Sequence, residues 1–277
     1  MNVEDTLDRL GRVTSRRPYA YASSWPIEEL ELAGPGGRER CLLLKRFDDP
    51  PKAKPPLVVE PEREIAAYRL LADADLGTPA CYGSGRRWLV LEKVEGVELW
   101  QLGDRRAWEA AARWAALLHS HFDGRRLSAP PLLRRDAPFH NHWFAQAQAL
   151  AGEDLNALCP SRDVALARLE ALPQTLVHGE LYPSNVLIAG PRVAVVDWET
   201  AAIGPGVIDL AALVTGLPKD DREAIVQAYG RVDPLDLAAA QLVLAVQWLG
   251  WCEGWRPPPE HRRDWLAEAR SAAEVLT

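Results

Sequence analysis

The segment VLIAGPRVAVVD, residues 186–197, constrains this chain more than any other. Two β-prone apolar runs flank Ala189-Gly190-Pro191-Arg192, so a two-stranded hairpin is expected. Asn185 stands just before the first strand and Asp197 ends the second, so antiparallel pairing brings them together at the open end. Glu180 lies in HGELYPSN (178–185), the stretch that leads into that end. Two oxygen ligands of the kind Mg²⁺ takes, and one candidate base, therefore converge there.

The rest of the chain falls into two parts. Strands are expected at 19–25, 29–32, CLLLKRF (41–47) and WLVLEKV (88–94), with a turn at GPGG (34–37). One helix lies among them, EREIAAYRLLADA (62–74), with Ile65, Tyr68 and Leu71 at helical spacing. The Pro-rich stretch 48–61 reads as loop. Helices then take over at 105–122, 138–151, 161–172, 205–216, 220–229, 234–255 and 260–275, the hairpin being the strand-like exception. A short linker near 92–96 joins the parts. The expected fold is α+β and bilobal, with a small β-rich lobe over 1–94 and a larger helical lobe over 95–277.

Composition narrows the class. With 277 residues, 48% apolar and 26% charged, the chain has the composition of a folded globular protein. A chain of this length buries roughly three quarters of its unfolded surface. A net charge of -7 speaks against a nucleic-acid partner. Arg134-Arg135 and Arg262-Arg263 have acids nearby and read as solvated surface. The longest uncharged run, 237–252, is shorter than the ~20 residues a membrane span needs, so it reads as a buried helix. Cys41, Cys81, Cys159 and Cys252 form no C-x-x-C. They are expected to be reduced, mostly buried thiols of a cytosolic protein. The acidic, amphipathic N-terminus is unlike a secretion signal.

Phosphoryl transfer to a hydroxyl needs a bound metal, a carboxylate to take the proton and a cation for the phosphates. Lys45, at the end of a buried strand, supplies the cation. Glu64 shares a helical face with Tyr68 and Leu71 and is the acid best placed to hold it, with Glu60 and Glu62 as alternatives. At this point the chain resembles the aminoglycoside phosphotransferase and choline kinase family, relatives of the protein kinases. Lys45, Glu64, LVLEKVEG (89–96), LLH (117–119), HGELYPSN (178–185), VVDWE (195–199) and GPGVIDLA (204–211) carry the resemblance along nearly the whole chain.

That resemblance implies a protein-kinase-like fold with the site between the lobes, and ATP and Mg²⁺ as cofactors. It implies Lys45 on the α/β-phosphates with Glu64 as its partner, Asn185 and Asp197 on the metal, and Glu180 as base. It implies the backbone of Glu92 and Val94 on adenine, and His178 and Asp209 as braces beneath the catalytic loop.

Two features depart from the family's pattern. Position 180 carries Glu where Asp is usual. The phosphate loop, expected around Ala22-Ser23-Ser24, has no G-x-G, so the Ser23 and Ser24 hydroxyls can stand in as donors. The short run from Asp197 to Gly206 leaves little room to hold a peptide. The chain is therefore expected to phosphorylate a hydroxyl of a small aminoglycoside- or sugar-like acceptor, with no nucleic-acid or membrane partner. The alternative is a nucleotide-binding pseudokinase acting as scaffold or sensor, supported mainly by Glu180. A kinase of a polymer or carrier-bound sugar is a third reading.

Blander readings attach to single residues. Lys45 alone reads as an exposed strand end, and Asp197 alone as a turn former. His119 with His121, and His140 with His142, point apart at i,i+2 and do not suggest zinc. Trp248, Trp251 and Trp255 share a helical face and are expected in the core, stacking on an acceptor being the other reading.

Overall fold

The computed structural model describes residues 2–20, 25–34, 39–48, 54–251 and 263–277. The chain opens with α1 (Val3–Leu10), whose N-cap Asn2 accepts the Asp5 N–H at 2.7 Å. There follow β1 (Arg12–Pro18), β2 (Ile27–Ala33), β3 (Glu39–Arg46), α2 (Pro61–Leu71), β4 (Cys81–Ser84) and β5 (Trp88–Glu92). These strands form one antiparallel sheet in the order β1-β2-β3-β5-β4. Alternation along the strands sorts their side chains onto two faces. Leu30, Leu32, Leu42, Leu44, Trp88 and Val90 pack with Leu7 of α1. Leu89 and Leu91 pack with Ile65, Tyr68 and Leu71 of α2. β5 is covered on both faces, which is why WLVL is an unbroken apolar run. The same alternation turns Lys45, next to Leu44, toward α2.

Beyond this sheet come β6 (Val97–Glu98), α3 (Arg105–Phe122), β7 (Leu133–Arg134), α4 (Ala137–Ala151), α5 (Cys159–Ala171) and β8 (Gln174–Val177). Next are β9 (Val186–Ala189), β10 (Arg192–Val195), β11 (Ala202–Pro205), α6 (Val207–Val214), α7 (Lys219–Tyr229), α8 (Pro234–Leu249) and α9 (Trp265–Leu276). The expected hairpin is present: β9 and β10 pair antiparallel, with Val186 opposite Val195 and Ala189 opposite Arg192. β6 extends it on the β9 side. The apolar α8 lies at the centre of the helical part and packs with residues of α4, α5, α6 and α9. The architecture is the expected one, a β-rich first part and a helical second part.

Several expectations are corrected. The first strand is β1, at Arg12–Pro18, and not at 19–25. Its side chains are mostly exposed on the sheet edge, so no apolar run marks it. A third sheet, β7-β11-β8, was not anticipated. Its strands are two to four residues long, and β11 contains Gly204 and Pro205. Arg135 is not solvated surface but 2% exposed. Cys41 and Cys81 are exposed and Cys159 is half-buried, so these thiols are free but not mostly buried. Ser23, Ser24, residues 35–37 of the expected turn, Cys252, Trp255, Arg262 and the expected helical stretches within 252–262 lie outside the described residues. Among the described residues, no single helix is long and apolar enough to cross a membrane.

Two arginines join the parts. Arg63 of α2 is 4% exposed. It donates to Pro131 O at 3.0 Å, Val58 O at 2.9 Å and Glu199 O at 3.0 Å. Arg192 of β10 grips the Glu92 carboxylate with both terminal nitrogens, at 2.6 and 2.8 Å, and donates to Gly77 O and Thr78 O. Replacing Arg63 by Met leaves three inward carbonyls without a donor. Urea unfolding of Arg63→Met should show a loss of about 2–4 kcal/mol. A loss within about 0.5 kcal/mol, the range of ordinary surface changes, would contradict a joining role.

Candidate active site

Lys45 sits between two acids. Its ammonium is 2.7 Å from Glu64 Oε2 and donates a hydrogen bond to Asp197 Oδ1, also at 2.7 Å. The Lys45 and Glu64 side chains are only 6% and 2% exposed. Of the three acids the sequence offered on α2, Glu60 caps the helix by accepting the Glu62 N–H, and Glu62 is exposed. Glu64 is thus the partner. Burial alone would pull the Lys45 ammonium down, but Asp197, Glu64 and Glu199 together hold it well above its ordinary value. Burial likewise favours the neutral form of Glu64, raising it to about 7 against the pull of Lys45. We read the pair as ionised, since 2.7 Å is the length of a charge-assisted contact.

The loop 178–185 is fixed from its backbone. His178 and Gly179 donate their N–H groups to the two oxygens of Asp209, at 2.7 and 2.8 Å. Asp209 Oδ2 also meets His119 Nε2 at 3.1 Å, and His119 Nδ1 meets the Tyr229 hydroxyl at 2.8 Å. His178 Nε2 lies 2.9 Å from Val196 O, an acceptor only, so Nε2 carries the hydrogen. Nδ1 then accepts the Glu180 N–H at 3.3 Å. Burial holds His178 below its ordinary pKa, in keeping with that neutral tautomer. Gly179 has φ +88°, and a Cβ there would stand 2.4 Å from Thr200 O, so no larger residue fits.

The loop's far end meets the hairpin. The Asn185 side-chain amide donates to Glu180 O at 2.9 Å, and Val196 donates to Asn185 O at 3.0 Å. With its NH₂ so engaged, Asn185 turns its Oδ1 elsewhere. Asp197 adopts the left-handed conformation (φ 64°, ψ 61°), sparsely populated by non-glycine residues and characteristic of functional sites. Burial opposes its ionisation, but Lys45 and Lys54 outweigh that and bring Asp197 down to about 2. Among the described residues, no three His, Cys, Asp or Glu side chains form a metal-holding group. One carboxylate and one amide oxygen nevertheless suit Mg²⁺, which keeps several waters and takes phosphate oxygens for the rest.

Glu180 completes the group. Its backbone is tied on both sides, to His178 and to Tyr182 and Asn185. Its Oε1 is buried and has no hydrogen-bond partner among the described residues. Burial pushes the carboxyl up to about 7, while Lys54 and Arg135 draw it back. Arg135 donates to Gly179 O at 2.6 Å and to Gln247 Oε1 at 2.7 Å.

Of the expected site residues, Lys45, Glu64, His178, Glu180, Asn185 and Asp197 form one connected constellation. Glu92 and Val94 stand apart from it at the start of the connection to β6. The Glu92 N–H is already donated to Ala80 O at 2.8 Å, which leaves only its carbonyl for a base. Trp251 is buried and stacks on Trp143 with centroids 5.5 Å apart. Trp248 is half-buried and donates to the Tyr182 hydroxyl beside the loop. His119 and His140 are both buried, the second neutral because burial pushes it down to about 3. The sequence reasoning missed Arg135, Lys54 and the charge of Glu199. Lys54 sits in a Pro-rich stretch with no periodicity to aim it.

The model of the phosphotransferase enzyme family matches residues 35–242, well over half of the chain and all of this constellation. The chain belongs to the phosphotransferase enzyme family. A search of curated proteins by sequence returns no significant match. Among solved structures, choline kinase LicA from Streptococcus pneumoniae superposes with a TM-score of 0.70 at 16% identity, over 99% of this chain and 97% of that one. A putative fructosamine-3-kinase from Thermobifida fusca YX-ER1 gives 0.64 at 20%, over 99% and 97%. The macrolide 2'-phosphotransferase MphH from Brachybacterium faecium gives 0.59 at 19%, over 99% and 96%. At these identities the likeness establishes the shared kinase-like fold, and family membership makes the chain a phosphotransferase.

Asp209 can be tested through stability. Burial would raise its pKa, but the contacts with His119 and with the His178 backbone N–H outweigh it and hold Asp209 below its ordinary 3.8. A depressed carboxyl stabilises the folded state at pH values above its unfolded value. That contribution is lost as pH falls through the folded value. Asp209→Asn should cost about 2–4 kcal/mol at pH 7 by urea unfolding. The gap from the parent should narrow as pH is lowered below ~4. A gap independent of pH would mean that the charge of Asp209 contributes nothing.

Proposed function

We propose that this phosphotransferase is an ATP- and Mg²⁺-dependent kinase acting on a hydroxyl of an aminoglycoside- or sugar-like small molecule. The observation that carries the reading is Lys45, held 2.7 Å from both Glu64 and Asp197, together with Glu180, whose buried Oε1 has no hydrogen-bond partner among the described residues. Lys45 would hold the α/β-phosphates, and the carbonyl of Glu92 with the backbone of Val94 would hold adenine. Asp197 and Asn185 Oδ1 would bind Mg²⁺, which neutralises charge on the phosphate oxygens when bound.

The acceptor hydroxyl gives its proton to Glu180 as its oxygen bonds to the γ-phosphorus. The bond from that phosphorus to the β,γ-bridging oxygen breaks, and ADP leaves with the electron pair. A Glu suits this task. Its carboxylate reaches about 1.5 Å further than an Asp would, roughly one carbon–carbon bond. Its raised pKa puts the proton acceptor near the working pH. Three free thiols fit a cytosolic setting. A nucleotide-binding scaffold without chemistry is the second reading, and the one observation in its favour is Glu180 in place of Asp.

ATP consumption over a panel of aminoglycosides, amino sugars, choline-like alcohols and nucleosides tests the reading directly. With an acceptor in hand, kcat/KM should rise with pH through about 7 as Glu180 loses its proton. Glu180→Gln should lose at least about a hundredfold in kcat. Parent-like turnover of that variant would remove Glu180 from the chemistry, and tight ATP binding with no acceptor phosphorylated would favour the scaffold.

Nucleotide binding is checked without an acceptor. ATP with Mg²⁺ should raise the melting temperature more than ATP alone, by mass action on the folded state. Asp197→Ala should erase most of the difference. Equal stabilisation with and without Mg²⁺ would count against the metal site.

A further inference from the structure

The cleft holds a second lysine that the chemistry above does not use. Lys54 lies on the connection from β3 to α2, and its side chain is 18% exposed. Its ammonium contacts Glu199 Oε1, and the Glu199 side chain is 7% exposed. Glu199 belongs to the 3-10 turn that starts directly after Asp197. Burial pulls the Lys54 ammonium down, and Glu199, Asp197 and Glu180, in falling order, more than restore it. Through Glu199, two residues beyond Asp197, the lysine is held at the turn that follows the candidate metal ligand, and Glu180 adds to the negative charge acting on it. Lys45 is committed instead to Glu64 and Asp197.

We propose that Lys54 is a second phosphoryl-binding residue, which contacts the γ-phosphoryl group as it passes from nucleotide to acceptor. The inference rests on the phosphotransferase reading of the site. The group in transit spreads negative charge over three equatorial oxygens, with attacking and leaving oxygens roughly in line. It must pass from the nucleotide, which the Asp197 metal site would hold, to a hydroxyl at Glu180, and among the described residues Lys54 is held at the turn after Asp197 with both carboxylates acting on its charge. In that step the acceptor oxygen–phosphorus bond forms, the bond to the bridging oxygen breaks, and the hydroxyl proton goes to Glu180. Lys54 gives up no atom and acts by charge and hydrogen bonding alone. In the nucleotide-free protein Glu199 keeps the ammonium in the cleft. Without phosphate, this pair also limits the repulsion among Asp197, Glu199 and Glu180.

A purely structural tether between the connection and the turn would use the same ion pair, so the test must separate the two roles. Calorimetry with Mg²⁺ and either ADP or the non-hydrolysable analogue AMP-PNP does so, because only the second carries a γ-phosphate. Lys54→Met should weaken AMP-PNP binding by about tenfold to a hundredfold, the value of a charge-assisted contact, and change ADP binding by less than about twofold. Lys54→Arg, which keeps the charge, should retain most of the AMP-PNP affinity. Glu199→Gln frees the lysine without removing it and should keep AMP-PNP binding, whereas a tether predicts the same loss as Lys54→Met. If the Met variant does not fold, Lys54→Gln serves the same comparison. Equal weakening of both nucleotides, or of neither, overturns the assignment. If the parent binds neither nucleotide, the phosphotransferase reading of the site fails and this inference falls with it.

Discussion

The N–H groups of His178 and Gly179 end on one carboxylate, Asp209, which is fully buried. An isolated charge in an apolar interior costs many kcal/mol and persists only where donors surround it. Here two come from the loop itself and a third from His119 of α3. Asp209 stands in the first turn of α6, and Tyr229 of α7 backs His119. Three helices therefore bear on one point of the loop. Everything downstream inherits its position from that point: the reach of Glu180, the orientation of the Asn185 amide, and the hairpin that Val196 ties back to Asn185.

Against this fixed base the cleft gathers acids: Glu64, Asp197, Glu199 and Glu180. Left alone they would repel each other or take up protons. Two lysines, one at the end of β3 and one on the connection after it, divide them. Lys45 serves Glu64 and Asp197, and Lys54 serves Glu199. Asp197 is consequently kept ionised, whereas burial pushes Glu180, whose Oε1 has no donor among the described residues, up to about 7. The two carboxyls are thereby driven in opposite directions by their surroundings alone.

Much of this was legible before the fold was known, and the reason is local. The hairpin announces itself through two β-prone runs and a Gly-Pro turn, and its geometry forces Asn185 and Asp197 together. Helices such as α3 carry a clear 3.6-residue period. Lys45 follows from its place at the end of an apolar strand, and the helical face favours Glu64, with Glu60 and Glu62 left as alternatives until the structure placed them. What escaped depends on contacts distant in sequence. Arg135 looks like one of a solvated pair, yet it is buried because Gly179 O and Gln247, 44 and 112 residues away, accept its hydrogen bonds. β7 and β11 are too short to show a period and exist only because they pair with each other and with β8. The exposure of Cys41 and Cys81 on their strands is likewise a matter of which side the neighbours leave open.

The ties between the two parts of the molecule have a consequence for how it responds to acidity. Arg63 and Arg192 are the side chains that fasten α2 and β5 to the turn after Asp197 and to the hairpin. Arg63 stays protonated up to about 10 even when buried, and Glu92 raises Arg192 further. Neither loses its charge anywhere near neutrality, so these two ties persist through the range in which the carboxyls of Glu64 and Glu180, each raised to about 7 by burial, can take up protons. A fall in pH can thus change the charge between the two parts while their arginine ties stay in place, a change that reverses without any refolding.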